Sequence, residues 1–276
     1  MEIRATILCE NCVFFDSNAL AEHGWSVFLE TEHGNYLFDT GGGKTIINNA
    51  RQFGKNLSEI KGIILSHHHY DHTSGLLSVL EHTNKVKVYA HPELFKDSYS
   101  VRNGVERYIG IPYRRELLES KGAEFIFNTD FTEIAPGIML TGEVPRKTSF
   151  ERGGPSLKLK FENGYIQDTV IDDQTLIINT SKGLVIVLGC SHAGIINIIN
   201  YAIEKTGQKH IHTIFGSTHL GPVDKDTEIK SLAALKEFEI ERIGTSHCTG
   251  LATSLRVFEE FGERFFFCNV GTVVEV

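Results

Sequence analysis

A run of histidines with an aspartate follows directly after a buried strand, and this feature constrains the fold more than any other. Residues 60–66, Ile-Lys-Gly-Ile-Ile-Leu-Ser, are mostly apolar and predict a buried strand, and the next six residues are His-His-His-Tyr-Asp-His. His67 and His69 lie two positions apart, so their side chains point to the same side of an extended segment. Asp71 and His72 come from the turn that follows and can address a second ion beside the first. We therefore predict a metal site at the end of this strand.

The last third of the chain repeats one pattern three times. An apolar, strand-like segment is followed within a few residues by a histidine and then by a helix-like segment. These histidines are His192, His219 and His247. Ligand sites in layered α/β folds lie at the carboxyl ends of strands, so the pattern indicates an α/β fold with a site where these ends meet.

Residues 65–75, Leu-Ser-His-His-His-Tyr-Asp-His-Thr-Ser-Gly, resemble the metal-binding motif of the metallo-β-lactamase superfamily. The upstream segment Tyr-Leu-Phe-Asp-Thr-Gly at 36–41 is similar to the same family, in which Asp39 would support the metal loop from behind the ligands. The resemblance extends over essentially the whole chain. It implies a four-layer αβ/βα sandwich, in the α/β (α+β) class, with a one- or two-metal site at one edge of the sheets.

Three further segments resemble one branch of that superfamily, the dihydropterin ribofuranosyl-aminobenzene phosphate synthases. They are Thr-Gly-Glu-Val-Pro-Arg at 141–146, Gly-Cys-Ser-His-Ala-Gly at 189–194 and His-Cys-Thr-Gly at 247–250. The resemblance implies that two of the later histidines complete the ligand set. The expected metal ligands are His67, His69, Asp71, His72, His192 and His247. Imidazole and carboxylate ligands suit one or two zinc ions, and they also accept iron or manganese.

The chain departs from the family pattern at position 190. Many relatives have a bridging aspartate, in the sequence Gly-Asp-Thr, where this chain has Gly-Cys-Ser. Three alternatives are open: Cys190 supplies a thiolate, His192 reaches in from two residues further on, or Asp172 or Asp173 takes the bridging role. A buried cysteine can also be a packing residue.

The middle of the chain, at about 95–167, is interpreted as an irregular insertion in a single domain that spans 1–276. It contains a cluster of basic residues with interleaved tyrosines. The basic residues are Arg102, Arg107, Arg114, Arg115, Arg146, Lys147 and Arg152. Guanidinium groups beside a metal cleft suit bidentate phosphate recognition, and we expect Arg146 and Arg152 to bind the substrate. The alternative is a solvated face paired with nearby glutamates.

These features predict a metal-dependent enzyme, either a hydrolase or a hydrolase-like synthase, that acts on a small phosphorylated and possibly pterin-like substrate. A metal ion activates water or polarises the substrate. Asp71 or His219 would manage protons, and resemblance to RNase Z-like relatives implies a general-acid role for His219. The alternatives are a ligand-sensing or regulatory metal-binding protein with little turnover, or a hydrolase of the phosphodiesterase or lactonase type.

Composition narrows the classes of partner and compartment. Acidic residues outnumber basic ones by 35 to 27, and the resulting net charge of −8 disfavours a nucleic-acid-binding surface. No run reaches the roughly 18 apolar residues that span a bilayer, so no membrane association is expected. The five cysteines are scattered and odd in number, which favours a reducing cytoplasm over a disulfide scaffold. We expect a cytoplasmic protein with a small-molecule partner, and a homo-oligomer remains open.

Overall fold

The structure is a computed structural model that describes residues 1–14, 17–151, 153–162 and 164–276. Arg152, for which the sequence predicts a substrate contact, lies outside the described residues. The described residues form two seven-stranded sheets and one four-stranded sheet. None of the helices among them combines the length and the apolar composition that are needed to cross a bilayer.

The strands and helices alternate through the first and last thirds of the chain. In chain order, the strands are β1 (Ile3–Cys9), β2 (Ser26–Thr31), β3 (Gly34–Phe38), β4 (Ile60–Ile64), β5 (Val86–Ala90), β6 (Ser98–Arg102), β7 (Val105–Tyr108), β8 (Ala123–Phe127), β9 (Thr132–Ala135), β10 (Ile138–Leu140), β11 (Leu157–Phe161), β12 (Gly164–Gln167), β13 (Leu176–Thr180), β14 (Gly183–Leu188), β15 (Ile211–Gly216), β16 (Ile240–Thr245), β17 (Phe265–Phe267) and β18 (Val273–Glu275). The α-helices are α1 (Ile46–Gln52), α2 (Tyr70–Thr73), α3 (Leu76–Leu80), α4 (Arg115–Ser120), α5 (Ile195–Thr206), α6 (Lys225–Leu235) and α7 (Leu251–Phe261). Short 3₁₀ helices span Leu57–Glu59, Pro92–Phe95, His247–Thr249 and Gly262–Arg264.

Four layers make up the body of the fold. The first large sheet has the order β18-β1-β2-β3-β4-β5-β8, and the second has the order β17-β16-β15-β14-β13-β10-β9. Their inner faces pack on each other through a core that includes Trp25, Phe38 and Phe215. Helices α1, α3 and α4 cover the outer face of the first sheet, and α5, α6 and α7 cover that of the second. The four-layer αβ/βα sandwich that the sequence predicts is confirmed.

The carboxyl ends of the parallel strands bring the two sheets' loops together. Strands β3, β4 and β5 run parallel in the first sheet, and β14, β15 and β16 run parallel in the second. The loops after β4 and β14 meet at one edge, where the ring centroids of His67 and His192 lie 4.9 Å apart. This edge therefore gathers polar side chains from both sheets, as layered α/β folds do at their sites.

The sequence predicts irregular structure at residues 95–167. In the structure this segment contributes strands to each of the three sheets. Strand β8 extends the first sheet, and β9 and β10 extend the second. Strands β6, β7, β11 and β12 form the separate four-stranded sheet, in the order β12-β11-β6-β7. Every residue of β7 is exposed, so this strand has neither a buried run nor the inside–outside alternation by which a strand is predicted.

Candidate metal centre

Three histidines from the two large sheets converge in a buried group. His67 and His69 lie in the loop after β4, and Nε2 of His67 is 2.9 Å from Nδ1 of His69. The ring of His192, in the loop after β14, is centred 4.9 Å from each of the other two rings. One ring nitrogen from each residue lies within 4.8 Å of the other two. The side chains of His67 and His69 therefore point to the same place, as their spacing of two residues predicts.

The state of these three imidazoles fits a metal ion. Among the described residues, neither ring nitrogen of His192 has a hydrogen-bond partner, and Nε2 of His69 has none. Leaving a buried polar atom unsatisfied costs about 1–3 kcal/mol, so these nitrogens need a partner. Burial lowers the pKa of His67 and of His192 well below the usual range, and it lowers the pKa of His69 to about 3. All three rings are therefore neutral, the form in which histidine binds metals.

A second group surrounds Asp71, in the first turn of α2. Its Oδ2 atom lies 3.0 Å from Nε2 of His247 and 3.0 Å from Nε2 of His23. Burial opposes the charge on Asp71, but the bonds to the two histidines outweigh it and hold the pKa of the carboxyl well below its usual range. The imidazole of His247 is also fixed at Nδ1, which lies 2.9 Å from Oδ1 of Asn11. The side chains of His23, Asp71 and His247 form another group that could hold an ion.

His23 was not singled out in the sequence because it lies in a loop far from the histidine motif. A close approach between two loops brings it to the site. A Cβ atom on Gly24 would lie 2.5 Å from the backbone nitrogen of Gly42 and 2.8 Å from the carbonyl oxygen of Asp71, so only glycine fits there. The ring of His23 stacks on that of His247 with centroids 4.6 Å apart.

Asp39 orients the remaining histidine of the motif. Its carboxylate accepts hydrogen bonds from the backbone N–H and the hydroxyl of Ser66, both at 2.7 Å, and lies 2.7 Å from Nδ1 of His72. Burial disfavours the charged ring, but Asp39 outweighs it and raises the pKa of His72 to about 9. The opposite nitrogen, Nε2, faces Sγ of Cys190 at 3.1 Å. The Cys190 sulfur thus lies in a ligand group with His67 and His72.

Neither aspartate that was considered as a bridging ligand joins these groups. Asp172 is engaged elsewhere, with Nδ1 of His68 and Nζ of Lys96 each 2.8 Å from its carboxylate oxygens. Asp173 accepts a hydrogen bond from the backbone N–H of Ala193 at 3.0 Å, and burial raises its pKa to about 7. Of the three alternatives, the structure places both Cys190 and His192, and neither aspartate, in the candidate ligand groups.

His219 and Cys248 lie beside the histidine group. The ring of His219 is centred 4.2 Å from that of His192, and its Nδ1 atom is 3.1 Å from Sγ of Cys248. The predicted ligand set does not include Cys248, although this residue directly follows the expected ligand His247. Both side chains line the same cavity as Asp71 and His247.

Strained backbone is concentrated at this site. Positive φ angles occur at Asp39 (56°), Ser191 (57°), His219 (54°) and His247 (47°). Residues other than glycine adopt this left-handed conformation uncommonly, and surrounding structure must compensate for the strain. Such strain is typical of functional sites, where it fixes the direction of a side chain.

A cavity of about 1430 Å³ opens next to the histidines. Its opposite wall is formed partly by the four-stranded sheet, which contributes Arg102 and Arg107. Arg107 donates a hydrogen bond to the hydroxyl of Tyr70 at 2.7 Å, and its guanidinium lies 4.8 Å from the centre of that ring. Neither arginine forms an ion pair with a carboxylate of the described residues. Both are therefore available to an anionic ligand.

Arg146, for which the sequence predicts a substrate contact, bonds to the backbone beside the site. Its two terminal nitrogens donate to the backbone carbonyl oxygens of His192 and Thr169, and it is absent from the described lining of the cavity. In this position the guanidinium holds the His192 loop, and a substrate contact by Arg146 stays a prediction. Arg115 pairs with Glu119 at 2.7 Å on the surface of α4, as the solvated-face alternative holds.

Comparison with known proteins agrees with this architecture. The sequence model of the metallo-beta-lactamase superfamily matches residues 20–160. The chain is 32% identical to the 7,8-dihydropterin-6-methyl-4-(beta-D-ribofuranosyl)-aminobenzene-5′-phosphate synthase of Methanocaldococcus jannaschii, over 99% of this chain and 96% of that protein. It is 30% identical to an uncharacterised protein of the same organism, over 98% of this chain and 99% of the relative.

A solved structure is also similar along its whole length. The crystal structure of Tm1679, a metal-dependent hydrolase of the β-lactamase superfamily, matches with a TM-score of 0.85 at 29% identity and covers 99% of each chain. The fold, the sequence relatives and the solved structure lead to the same family. The chain belongs to the metallo-β-lactamase superfamily.

Proposed function

We propose that this protein is a metal-dependent enzyme that acts on a small phosphorylated substrate. One observation carries the proposal: a group of buried, neutral imidazoles with unsatisfied nitrogens opens onto a large cavity, and the cavity lining includes two arginines that form no ion pair with a carboxylate of the described residues. The zinc expected from the sequence remains the proposed metal, and iron or manganese are alternatives for the same imidazole and carboxylate ligands.

Two sets of residues would hold the metal. His67, His69 and His192 would bind a first ion, and their neutral rings already face one point. We propose Asp71, His72 and His247 as ligands of a second ion. Asp71 and His247 lie in one candidate group with His23, whereas His72 lies in another with His67 and Cys190. When bound there, a metal ion supplies a Lewis acid and lowers the pKa of water toward about 7.

The chain's own side chains would orient the reactants. Arg102 and Arg107 would bind the phosphate, with Tyr70 holding the Arg107 guanidinium in place. His219 lines the cavity and is held at Nδ1 by Cys248, so it can deliver a proton to a leaving group. Proton transfer from a positioned imidazole typically contributes 10²–10⁴-fold to the rate.

The substrate class follows from the cavity and from the named relative. The relative in M. jannaschii is named as the synthase of a dihydropterin phosphate, and we infer a pterin-like phosphorylated compound for this chain. The cavity of about 1430 Å³ exceeds the roughly 300–1,000 Å³ of typical small-ligand sites, so it has room for a two-ring compound with a sugar phosphate. One named neighbour is a synthase and another a hydrolase, and the proposal covers both reaction types.

The test is a comparison of phosphorylated pterins and ribosides with their dephosphorylated counterparts, using metal-loaded and chelated protein. We expect turnover that depends on the metal and that is faster for the phosphorylated member of each pair. Tight binding of these compounds to metal-loaded protein with no turnover would instead indicate a ligand-sensing protein and overturn the proposal.

A further inference from the structure

Two thiols lie together at the site, outside the histidine motif at 67–72. Cys190 follows β14, and Cys248 directly follows the expected ligand His247. Their Sγ atoms are 3.4 Å apart. We propose that Cys190 and Cys248 bind the metal together, as a pair of thiolates that takes the place of a bridging carboxylate. This inference rests on the proposed metal-dependent function and specifies the chemistry of its metal centre.

The two sulfur atoms lie between imidazole nitrogens. Sγ of Cys190 is 3.1 Å from Nε2 of His72, and Sγ of Cys248 is 3.1 Å from Nδ1 of His219. Ligand atoms around one tetrahedral zinc are separated by roughly 3.5–3.8 Å, as calculated from the usual zinc–sulfur and zinc–nitrogen bond lengths. The observed separations are a few tenths of an ångström shorter. A small outward movement of the two sulfur atoms would therefore bring them to the spacing of two ligands on one ion.

Cys248 is held in place by a neighbouring hydroxyl. The Ser217 oxygen accepts a hydrogen bond from the backbone N–H of Cys248 at 3.0 Å and lies 2.6 Å from its sulfur. Residues that hydrogen-bond to a metal ligand orient it and tune its basicity. Cys268 is a useful contrast, because it is also buried but belongs to the hydrophobic core between the two large sheets. The position of Cys248 is thus that of a supported ligand, and that of Cys268 is a packing position.

The proposal has a consequence for the choice of metal. Thiolates are soft ligands that favour zinc and iron, whereas manganese and magnesium favour oxygen ligands. A centre that contains both cysteines should therefore bind zinc, iron or the zinc substitute cobalt much more tightly than manganese. Cys190 and Cys248 also line the cavity, so the sulfur atoms would lie where a substrate can reach the ion.

A cobalt titration tests the sulfur ligands directly. The full-length protein is reduced, freed of metal by chelation, and titrated with Co²⁺ without oxygen. Visible d–d bands report cobalt bound by any ligands, and an intense near-ultraviolet charge-transfer band reports cobalt bound to thiolate. We expect both bands in the parent protein. Cys190→Ser and Cys248→Ser should each lose part of the charge-transfer band, and the double variant should lose all of it.

The matched control is Cys12→Ser, which removes a thiol outside the proposed ligand pair and should leave both bands unchanged. A second measurement needs no variant: iodoacetamide should label Cys190 and Cys248 much more slowly with zinc bound than after chelation, while Cys12 labels equally in both states.

The outcomes separate the two proposals. Normal d–d bands without a charge-transfer band, or with one that Cys248→Ser leaves unchanged, would overturn the paired-thiolate centre and leave the metal-dependent function standing. Equal labelling of Cys248 with and without zinc would also overturn it. If no cobalt binds at all, the proposed function fails together with this inference.

Discussion

Single residues at the site differ in what their side chains contact, and these contacts separate ligands from supports. His192 has two buried ring nitrogens without a partner among the described residues, whereas Asp39 supports the proposed ligand His72 from 2.7 Å away. Arg107 lines the cavity, whereas Arg146 donates its hydrogen bonds to backbone carbonyl oxygens. Residue type and spacing predicted that these side chains would be important, but the roles of the two arginines depend on contacts that spacing does not reveal.

His67→Ala should remove a ligand from the first ion. His67 contributes to two of the candidate ligand groups, so its loss should lower metal affinity and reduce the metal retained after dialysis. Elemental analysis of the purified variant measures this. His33→Ala is the matched control, because His33 lies in the turn between β2 and β3 and should leave the metal content unchanged. Retention of the parent's metal content by His67→Ala would contradict the assignment.

Arg107→Ala should weaken turnover of a phosphorylated substrate selectively. A charge-assisted contact of about 1.5–3 kcal/mol corresponds to a roughly ten- to hundredfold fall in kcat/KM. Steady-state kinetics should show little change for the dephosphorylated counterpart, and Arg107→Lys should restore only part of the loss because lysine lacks the bidentate fork. Arg115→Ala, on the surface of α4, is the control. Equal effects on both compounds would count against a phosphate contact.

At the scale of elements, a buried ion cluster joins the four-stranded sheet to the metal loop. Lys96 precedes β6, and its Nζ atom lies 3.1 Å from Asp168 and 2.8 Å from Asp172. His68, between two expected ligands, lies 2.8 Å from Asp172 and 3.4 Å from Asp168. The wall that carries Arg102 and Arg107 is therefore tied to the loop that carries the histidines.

Asp172→Asn should destabilise the protein strongly. The change leaves Lys96 and His68 with less compensating charge, and breaking a buried ion pair costs about 3–5 kcal/mol. The free energy of unfolding in urea measures the loss. Glu204→Gln is the control, because it breaks the exposed pair with Lys147 and should leave the free energy of unfolding almost unchanged. A similar small effect for Asp172→Asn would show that the cluster contributes little.

Much of the secondary structure could be predicted from the sequence, because hydrophobic patterning marks buried elements. Strands β14, β15 and β16 and the helices that follow them occur where the repeated apolar pattern of the last third predicts them. The four-stranded sheet could not be recognised, since β7 is fully exposed and has no such pattern. Likewise, His23 reaches Asp71 only through the packing of two loops, which leaves no trace in local spacing.

At the scale of the whole molecule, the site exists only when both large sheets are packed together. His67 and His69 come from the first sheet, and His192 comes from the second, so an ion bound by all three would bridge the two halves. A ligand that binds only the folded state stabilises it by mass action, by about 2.7 kcal/mol when its free concentration is 100 times Kd.

Metal removal should accordingly lower the thermal stability of the parent protein. Calorimetry with zinc and then with a chelator should show a fall in Tm, because the three histidines lose the ion that they share. The same comparison on His67→Ala should show a much smaller fall. An unchanged Tm in the parent protein would contradict an ion that joins the two sheets.

The central claim is that a metal held by these histidines supports catalysis. The most direct measurement is a titration of chelated protein with Zn²⁺ while the hydrolysis of bis-p-nitrophenyl phosphate is followed. The account predicts no turnover without metal and a rate that rises with bound zinc and saturates between about one and two equivalents, the number of ions that the ligand groups could hold. Zinc that binds at this stoichiometry without producing turnover, or turnover that is independent of zinc, would contradict it.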